Sequence, residues 1–186
     1  MEKKKNKIVV LIGPGGCGKT SVARALEKTG KFEFAPSTTS RAMREGEKDG
    51  YDYFFVTSKK FNTMKEKGEM LEYVLFNGNY YGTNLTKIKN ILESKNCVLA
   101  IEEHGAKKMK EAFPNETITV FIYVPARELK KRMKDRGDSK THIKDRLILA
   151  KQENASRFKF DYIVENKNGK LDECVKEIIE ITKKCK

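Results

Sequence analysis

The segment Gly13-Pro-Gly-Gly-Cys-Gly18-Lys19-Thr20 has a spacing that by itself points to a chemistry. A glycine, four residues, then Gly-Lys-Thr describe a loop whose backbone N–H groups turn inward around a polyphosphate. In such a loop Lys19 reaches the β- and γ-phosphates, and the Thr20 hydroxyl ligates Mg²⁺. The N-terminus of the following helix adds positive potential. Cys17, inside the loop, reads as a small filler, because nothing in the sequence sets a base beside it.

The arginines are the second set. The chain carries a formal charge of +13, with 31 Lys and 8 Arg. The lysines are spread throughout, as a solubilising surface is. The arginines bunch: Arg41 and Arg44, then Arg127, Arg132, Arg136 and Arg146. Arginine's planar fork binds phosphate through two bonds at once, so the bunching says more than the net charge. The four cysteines, Cys17, Cys97, Cys174 and Cys185, form no C-x-x-C pair and have no histidine cluster near them. Neither a zinc site nor a disulfide framework is expected, and a reducing compartment is the default. His104 and His142 read as surface or satisfied histidines. There is no Asn-Lys-x-Asp motif of the kind that reads guanine in GTPases, so the loop alone leaves ATPase, GTPase and kinase open.

These residues need elements to position them. Ile8 to Ile12 is a short, β-branched apolar run, the signature of a buried parallel strand. A helix follows the loop to about Lys28, ahead of Gly30. A short strand is expected at Phe32 to Phe34. Residues 37–53 are polar and aperiodic and read as loop. Phe54 to Thr57 reads as strand, and Ser58 as the N-cap of a helix ending at Gly68. Met70 to Phe76, the tight turn Asn77-Gly78 and Asn79 to Tyr81 read as a hairpin. Strand–helix alternation then resumes, with strands at Cys97–Ile101, Thr117–Val124 and Tyr162–Val164. Helices are expected at about 85–95, 105–112, 126–136 and 141–154, then a last one in which Leu171, Cys174, Val175, Ile178 and Ile179 share a face. The pattern is α/β: a parallel sheet flanked by helices, interrupted by a small β-rich unit.

Beyond the loop, the blocks Ser37-Thr-Thr-Ser-Arg41-Ala-Met-Arg44-Glu-Gly-Glu47, Asp49-Gly-Tyr-Asp-Tyr53, Gly68-Glu-Met-Leu-Glu72 and Gly78-Asn-Tyr-Tyr81-Gly82-Thr83 resemble guanylate kinases. So do Glu102-x-x-Gly105, Leu129-x-x-Arg132-x-x-x-Arg136-Gly137, Arg146-Leu147 and Asp161-Tyr-Ile-Val-x-Asn166. The likeness spans almost the whole chain. It implies a P-loop core (1–36, 84–136 and 155–186), an inserted unit for the nucleoside monophosphate (37–83) and a helical lid (137–154). It implies Mg²⁺-dependent transfer of the ATP γ-phosphoryl group to GMP or dGMP. By resemblance, ATP is held by Gly13, Pro14, Gly15, Gly16, Cys17, Gly18, Lys19, Thr20 and Ser21, with Asn166 beside the adenine. The GMP phosphate falls to Arg41, Arg44, Tyr53 and Tyr81, and the base to Ser37, Glu72 and Thr83. Glu47, Gly82 and Glu102 complete that site. Lys19, Arg132, Arg136 and Arg146 would stabilise the transferring phosphoryl group. Thr20, and Glu102 through water, would hold Mg²⁺.

The chemistry agrees with the resemblance. Guanine offers N1–H and N2–H side by side to one carboxylate, and adenine would leave that carboxylate unpaired. Phosphoryl transfer asks the protein for positioning and charge rather than a nucleophile. The chain departs from the family at Ala100, where a carboxylate that helps hold the guanine nucleotide is usual, and at Glu102, one methylene longer than the usual Asp. Smaller departures are Ser40 for Thr and Met43 for Pro. Other readings stay open: an inactive family member that binds partners, or a P-loop kinase with a different phosphorylated acceptor. A nucleic-acid partner is not expected, since no recognition motif accompanies the charge. No run approaches the roughly 18 apolar residues of a membrane span. Five apolar residues after the basic start are too few for a secretory leader, so a cytoplasmic protein is expected. Oligomeric state is not legible.

Overall fold

A computed structural model of the chain describes residues 5–185; the outermost residues of the expected core, 1–4 and 186, lie outside them. Five parallel strands, β1 (Ile8–Ile12), β2 (Phe32–Phe34), β7 (Asn96–Ala100), β8 (Thr117–Tyr123) and β9 (Tyr162–Glu165), make one sheet in the order β2-β7-β1-β8-β9. β1 is central, and its side chains divide by parity. Val9 and Leu11 join a core with Val22 and Leu26 of α1 (Lys19–Lys28) and Ile178 of α7 (Leu171–Lys184). Ile8, Val10 and Ile12 join a second core with Ile88 of α3 (Leu85–Leu92) and Met109 of α4 (Glu103–Ala112). Both faces are covered, which is why the strand reads as continuously apolar. β1 also marks the point where the strand order reverses, and ligands of open α/β sheets bind beyond the carboxyl end of such a strand.

A second sheet, in the order β4-β3-β6-β5, is built from β3 (Thr38–Thr39), β4 (Phe54–Phe55), β5 (Met70–Phe76) and β6 (Asn79–Asn84). The Asn77-Gly78 turn has positive φ at both residues (47° and 74°), as a tight hairpin requires. α2 (Ser58–Glu66) packs Phe61 and Met64 into this unit. α5 (Ala126–Asp135) and α6 (Lys140–Ala155) complete the set of helices among the described residues, with a 3₁₀ turn at Ser156–Lys159.

Several sequence expectations need correction. β3 falls inside the stretch read as loop; two residues are too few to show a period, and Thr38 and Thr39 are buried only through pairing with β6 and β4. The cap of α2 is Thr57, whose hydroxyl accepts from the Lys60 N–H at 3.1 Å, not Ser58. The return strand runs on to Asn84, whose side chain then caps α3. α3 stops at Leu92 rather than about 95, and α4 begins at Glu103 rather than Gly105.

Candidate active site

β1 delivers the glycine loop to the carboxyl edge of the sheet, and Gly18, at φ 94°, is the N-cap of α1. Gly13 and Gly18 cannot carry a side chain. Gly13 has φ 145°, and a Cβ there would lie 2.6 Å from the Ile122 carbonyl oxygen; one on Gly18 would lie 2.6 Å from Asn166 Nδ2. The Cys17 N–H closes a turn onto the Pro14 carbonyl at 3.1 Å. Burial pushes the Cys17 thiol up despite the nearby Lys19 charge, so it is a protonated filler.

Lys19 curls over the loop and donates to the Gly13 carbonyl, with Glu102 Oε1 3.9 Å away. Thr20 and Ser21 are exposed at the loop's exit. A cavity of about 390 Å³ opens there, lined by Gly16, Gly18, Lys19, Thr20, Arg132 and Arg136 among others. Arg132, on α5, has two nitrogens engaged: Nη1 donates to the Cys17 carbonyl at 3.2 Å and Nη2 to the Asn166 carbonyl at 2.7 Å. The Asn166 amide donates to the same Cys17 carbonyl at 2.8 Å from a buried position. Arg132 and Asn166 therefore brace the loop from below. Arg136 stands at the end of α5, paired through Nε and Nη2 with Asp138, whose carboxyl it holds below its ordinary value. Arg146, on α6, reaches the loop: its Nη1 is 3.4 Å from where a Cβ on Gly15 would be.

The second sheet gathers the other predicted residues. Arg41 forms a two-pronged pair with Glu47, at 2.9 and 2.7 Å, and its guanidinium lies 5.4 Å from the Tyr53 ring centroid. Glu47 also accepts from the Arg44 N–H at 2.7 Å, and the Arg41 bonds bring its carboxyl down to about 2. Glu47 thus shapes the 41–47 loop and orients Arg41; the Arg44 side chain is exposed. Tyr53 and Tyr81 meet edge to face at 6.1 Å, and burial, then the Tyr81 hydroxyl, raises the Tyr53 phenol. Glu72 Oε1 accepts from the Thr83 hydroxyl at 2.6 Å. Gly82 lets the strands close, since a Cβ would lie 2.5 Å from the Glu72 carbonyl oxygen. Ser37 pairs its carbonyl with the Phe54 N–H and is half-buried.

The two groups meet at the start of α4. The Glu72 carboxyl carbon is 3.6 Å from the Cβ position of Gly105, three residues after Glu102, which faces Lys19. Ala100 ends β7 beside Leu11. The carboxylates after it have other partners: Glu102 turns to Lys19, and Glu103 pairs with Lys159 at 3.0 Å.

Two residues escaped the sequence reading. Glu153 on α6 is half-buried and faces Glu102, Lys19 and Arg146; burial first, then the Glu102 charge, raise its carboxyl. Its spacing of seven from Arg146, with buried Ala150 between, was the available signal, since those positions share a helix face. Arg24 on α1 lies 3.6 Å above the Tyr51 ring and pairs with Glu27 at 2.7 Å, tying the inserted unit to α1; no motif signals it.

The family model described as guanylate kinase matches residues 5–185. A guanylate kinase of Halalkalibacterium halodurans is 41% identical over 175 residues, covering 92% of this chain and 85% of that protein. One from Prochlorococcus marinus subsp. pastoris is 39% identical over 97% of this chain and 99% of its own length. Among solved structures, the guanylate kinase of Anaplasma phagocytophilum superposes with a TM-score of 0.74 at 28% identity, covering 98% of this chain and 87% of that one. A shikimate kinase from Bacteroides thetaiotaomicron, at 18% identity and TM-score 0.52, shares the fold alone. With the family model matching residues 5–185 and relatives near 40% identity along almost its whole length, this chain belongs to the guanylate kinase family.

Proposed function

We propose that this chain moves the γ-phosphoryl group of ATP to GMP or dGMP, releasing ADP and GDP, with the residues named above in the roles their contacts suit. The observation that carries the assignment of roles is the short path from Glu72 through the start of α4 to Glu102 and Lys19. It brings a carboxylate suited to guanine and the lysine suited to the γ-phosphate to the same end of α4. In this reading Glu72 accepts the guanine N1–H and N2–H, oriented by Thr83, and Ser37 donates to O6. Arg41, Arg44, Tyr53 and Tyr81 surround the GMP phosphate, and Glu47 orients Arg41. Lys19 exchanges the Gly13 carbonyl for phosphate oxygens. Arg136 and Arg146 close on the phosphates from α5 and α6, Arg132 and Asn166 hold the loop in shape, and the insert (37–83) and lid (137–154) move against the core.

Mg²⁺ belongs to this reading. Among the described residues no group of three or more His, Cys, Asp or Glu could hold a metal unaided, so the ion would be shared with ATP. The donors fit: the Thr20 hydroxyl is exposed at the mouth of the loop, and the Glu102 carboxylate, 75% exposed, lies beside Lys19. A hydroxyl, a carboxylate and waters are the hard oxygen ligands Mg²⁺ accepts. Bound there, it would offset phosphate charge. The described residues contain no helix long and apolar enough to cross a membrane, and all four cysteines are free. The cytoplasm, where ATP and GMP are found and thiols stay reduced, is the compartment this favours.

An ADP-release assay with each of GMP, dGMP, AMP, CMP and UMP at equal concentration tests the reading. GMP and dGMP should be the good acceptors. A better acceptor among the others would favour the different-acceptor reading that Ala100 keeps alive, and no turnover with any of them would favour the inactive binding module.

A further inference from the structure

Two cations of the core lie against rings of the inserted unit, and both rings belong to one short segment. Arg24, on α1, has its guanidinium 3.6 Å from the Tyr51 ring centroid and 4.5 Å from that of Phe34 on β2, so it touches one ring of the insert and one of the core. Glu27, one turn on, fixes it. Arg24 Nη1 donates to Glu27 Oε2 at 2.7 Å, while Oε1 of the same carboxylate accepts from the Phe34 N–H at 3.1 Å. Arg24 Nε and Nη2 are buried and have no hydrogen-bond partner. A guanidinium kept dry in this way gains most from a ring face, and Tyr51 supplies one. The second cation is Lys87, on α3, 3.4 Å from Glu33 of β2 and 5.5 Å from the Phe54 ring centroid. Tyr51 belongs to a turn closed within itself: the Tyr51 and Asp52 N–H groups donate to the Lys48 carbonyl, and the Gly50 N–H to the Tyr53 carbonyl. Asp49 accepts from the Phe55 N–H at 2.8 Å. What holds Tyr51 therefore holds Tyr53, two residues on, whose ring lies beside Arg41 and Tyr81.

We propose that Arg24 is a positioning residue for the acceptor: it holds Tyr51, and with it the 48–55 turn, so that Tyr53 and Arg41 stand where the GMP phosphate is received. The inference rests on the roles given to Tyr53 and Arg41 above. The insert also meets the core at Glu72, whose carboxyl carbon is 3.6 Å from the Cβ position of Gly105. That contact lies at the base-reading end of the acceptor site and the Arg24 contact at the phosphate end. Two separated contacts fix an orientation that one would leave free. Tyr51 is half-exposed, so losing its ring leaves the hydrophobic core intact. When the ring leaves, Arg24 Nε and Nη2 meet water, and their rehydration offsets part of the lost attraction. The contact thus biases the insert toward this pose without locking it there.

Steady-state kinetics separate positioning from a purely structural role. Tyr51→Leu and Arg24→Met should each raise KM for GMP about three- to thirtyfold, the range that one cation–ring contact supports, and leave KM for ATP where it was. Tyr51→Phe keeps the ring and should keep the parent's KM for GMP. The double variant Arg24→Met, Tyr51→Leu should be no worse than the more damaged single one, because both changes remove the same contact. An unchanged KM for GMP in Tyr51→Leu overturns the proposal, as does an equal rise in KM for ATP, or losses that multiply in the double variant. Amide hydrogen exchange needs no turnover: peptides covering 48–55 should exchange faster in Tyr51→Leu than in Tyr51→Phe, and equal exchange overturns the proposal too. A parent that uses another monophosphate and not GMP would refute the functional reading alone, and the exchange result then decides whether Arg24 holds the turn.

Discussion

Replacing Glu72 by Gln separates base recognition from phosphate chemistry. In the proposed complex the carboxylate accepts two guanine N–H groups, and bonds to a charged acceptor contribute about 1.5–3 kcal/mol each. The substituted amide keeps the shape and one acceptor oxygen but turns an N–H₂ group toward a guanine N–H. Losing one charge-assisted bond and creating one donor–donor contact should cost about 3–5 kcal/mol, or roughly two to three and a half powers of ten in kcat/KM for GMP. In the same pose adenine turns its N1 acceptor toward the new N–H₂ group, while its N6 amine stands where guanine O6 meets Ser37, so AMP turnover should hold level or rise only slightly. The bond from Thr83 at 2.6 Å survives with the amide oxygen as acceptor, so the hairpin should keep its shape. Melting temperature should fall by no more than about 2–4 °C, the equivalent of one lost hydrogen bond in a chain of this size. The assay is ADP release, with GMP varied at saturating ATP and then ATP varied at high GMP. KM for ATP should not move. An unchanged ratio of GMP to AMP turnover, or an equal loss along both axes, would remove Glu72 from base reading.

Lys19→Met should lower kcat by about two to three powers of ten, the usual cost of removing one preorganised group from a developing charge; a loss confined to KM for ATP would make the lysine a binding group only. Gly18→Ala forces a Cβ within 2.6 Å of Asn166 Nδ2 at positive φ, and should cost about 1–3 kcal/mol of stability in thermal unfolding along with ATP use. Glu47→Gln should raise KM for GMP severalfold and leave KM for ATP alone. Its ordinary value of 4.5 is brought down to about 2 by Arg41, so the folded form prefers the ionised carboxylate. The Arg41 clip is therefore complete above pH 4.5 and is lost as pH falls toward 2, which nuclear magnetic resonance titration of the side chain reads. Ala100→Asp should lower KM for GMP, since neither Glu102 nor Glu103 faces that position; an unchanged KM would mean that the missing carboxylate has no counterpart in this site.

The phosphate loop and the parallel sheet were legible because both are local. Five apolar β-branched residues specify a strand covered on both faces, and glycine spacing specifies a loop. The hairpin was legible through Asn77-Gly78. β3 was not, because two threonines become a strand only when β6 and β4 arrive from 42–44 and 16 residues downstream. Glu47 shows a different limit. Sequence places it in the acceptor group by resemblance, but only the folded loop shows that it acts on Arg41 and on the Arg44 backbone. Glu153 was missed because its one signal, a spacing of seven from Arg146 on a helix crowded with charge, points to nothing until the residues across from that face are known. Arg24 was missed for the same reason: its partner Tyr51 lies in another sheet's loop.

Four of the cations gathered at the site, Lys19, Arg41, Arg132 and Arg136, already have oxygen partners, and the kinds of partner differ in a way that predicts which of them move. Arg132 donates to the Cys17 and Asn166 carbonyls beneath the loop, and breaking those bonds would orphan carbonyls that have no competing donor but Asn166. It should stay put whether or not nucleotide is bound. Lys19 rests on the Gly13 carbonyl, a neutral acceptor that an anionic phosphate outcompetes, and it needs only a rotamer change to reach the cavity. Arg136 is 59% exposed and its partner Asp138 lies just past the end of α5, so this pair can open into water at little cost and release a fork toward ATP. Arg41 is held by a carboxylate that also accepts from the loop backbone, so a GMP phosphate gains more by joining that pair than by breaking it. The site is thus a braced loop and a braced acceptor pocket with two releasable cations between them. The large net charge of the chain, mostly dispersed lysine, lies outside this arrangement.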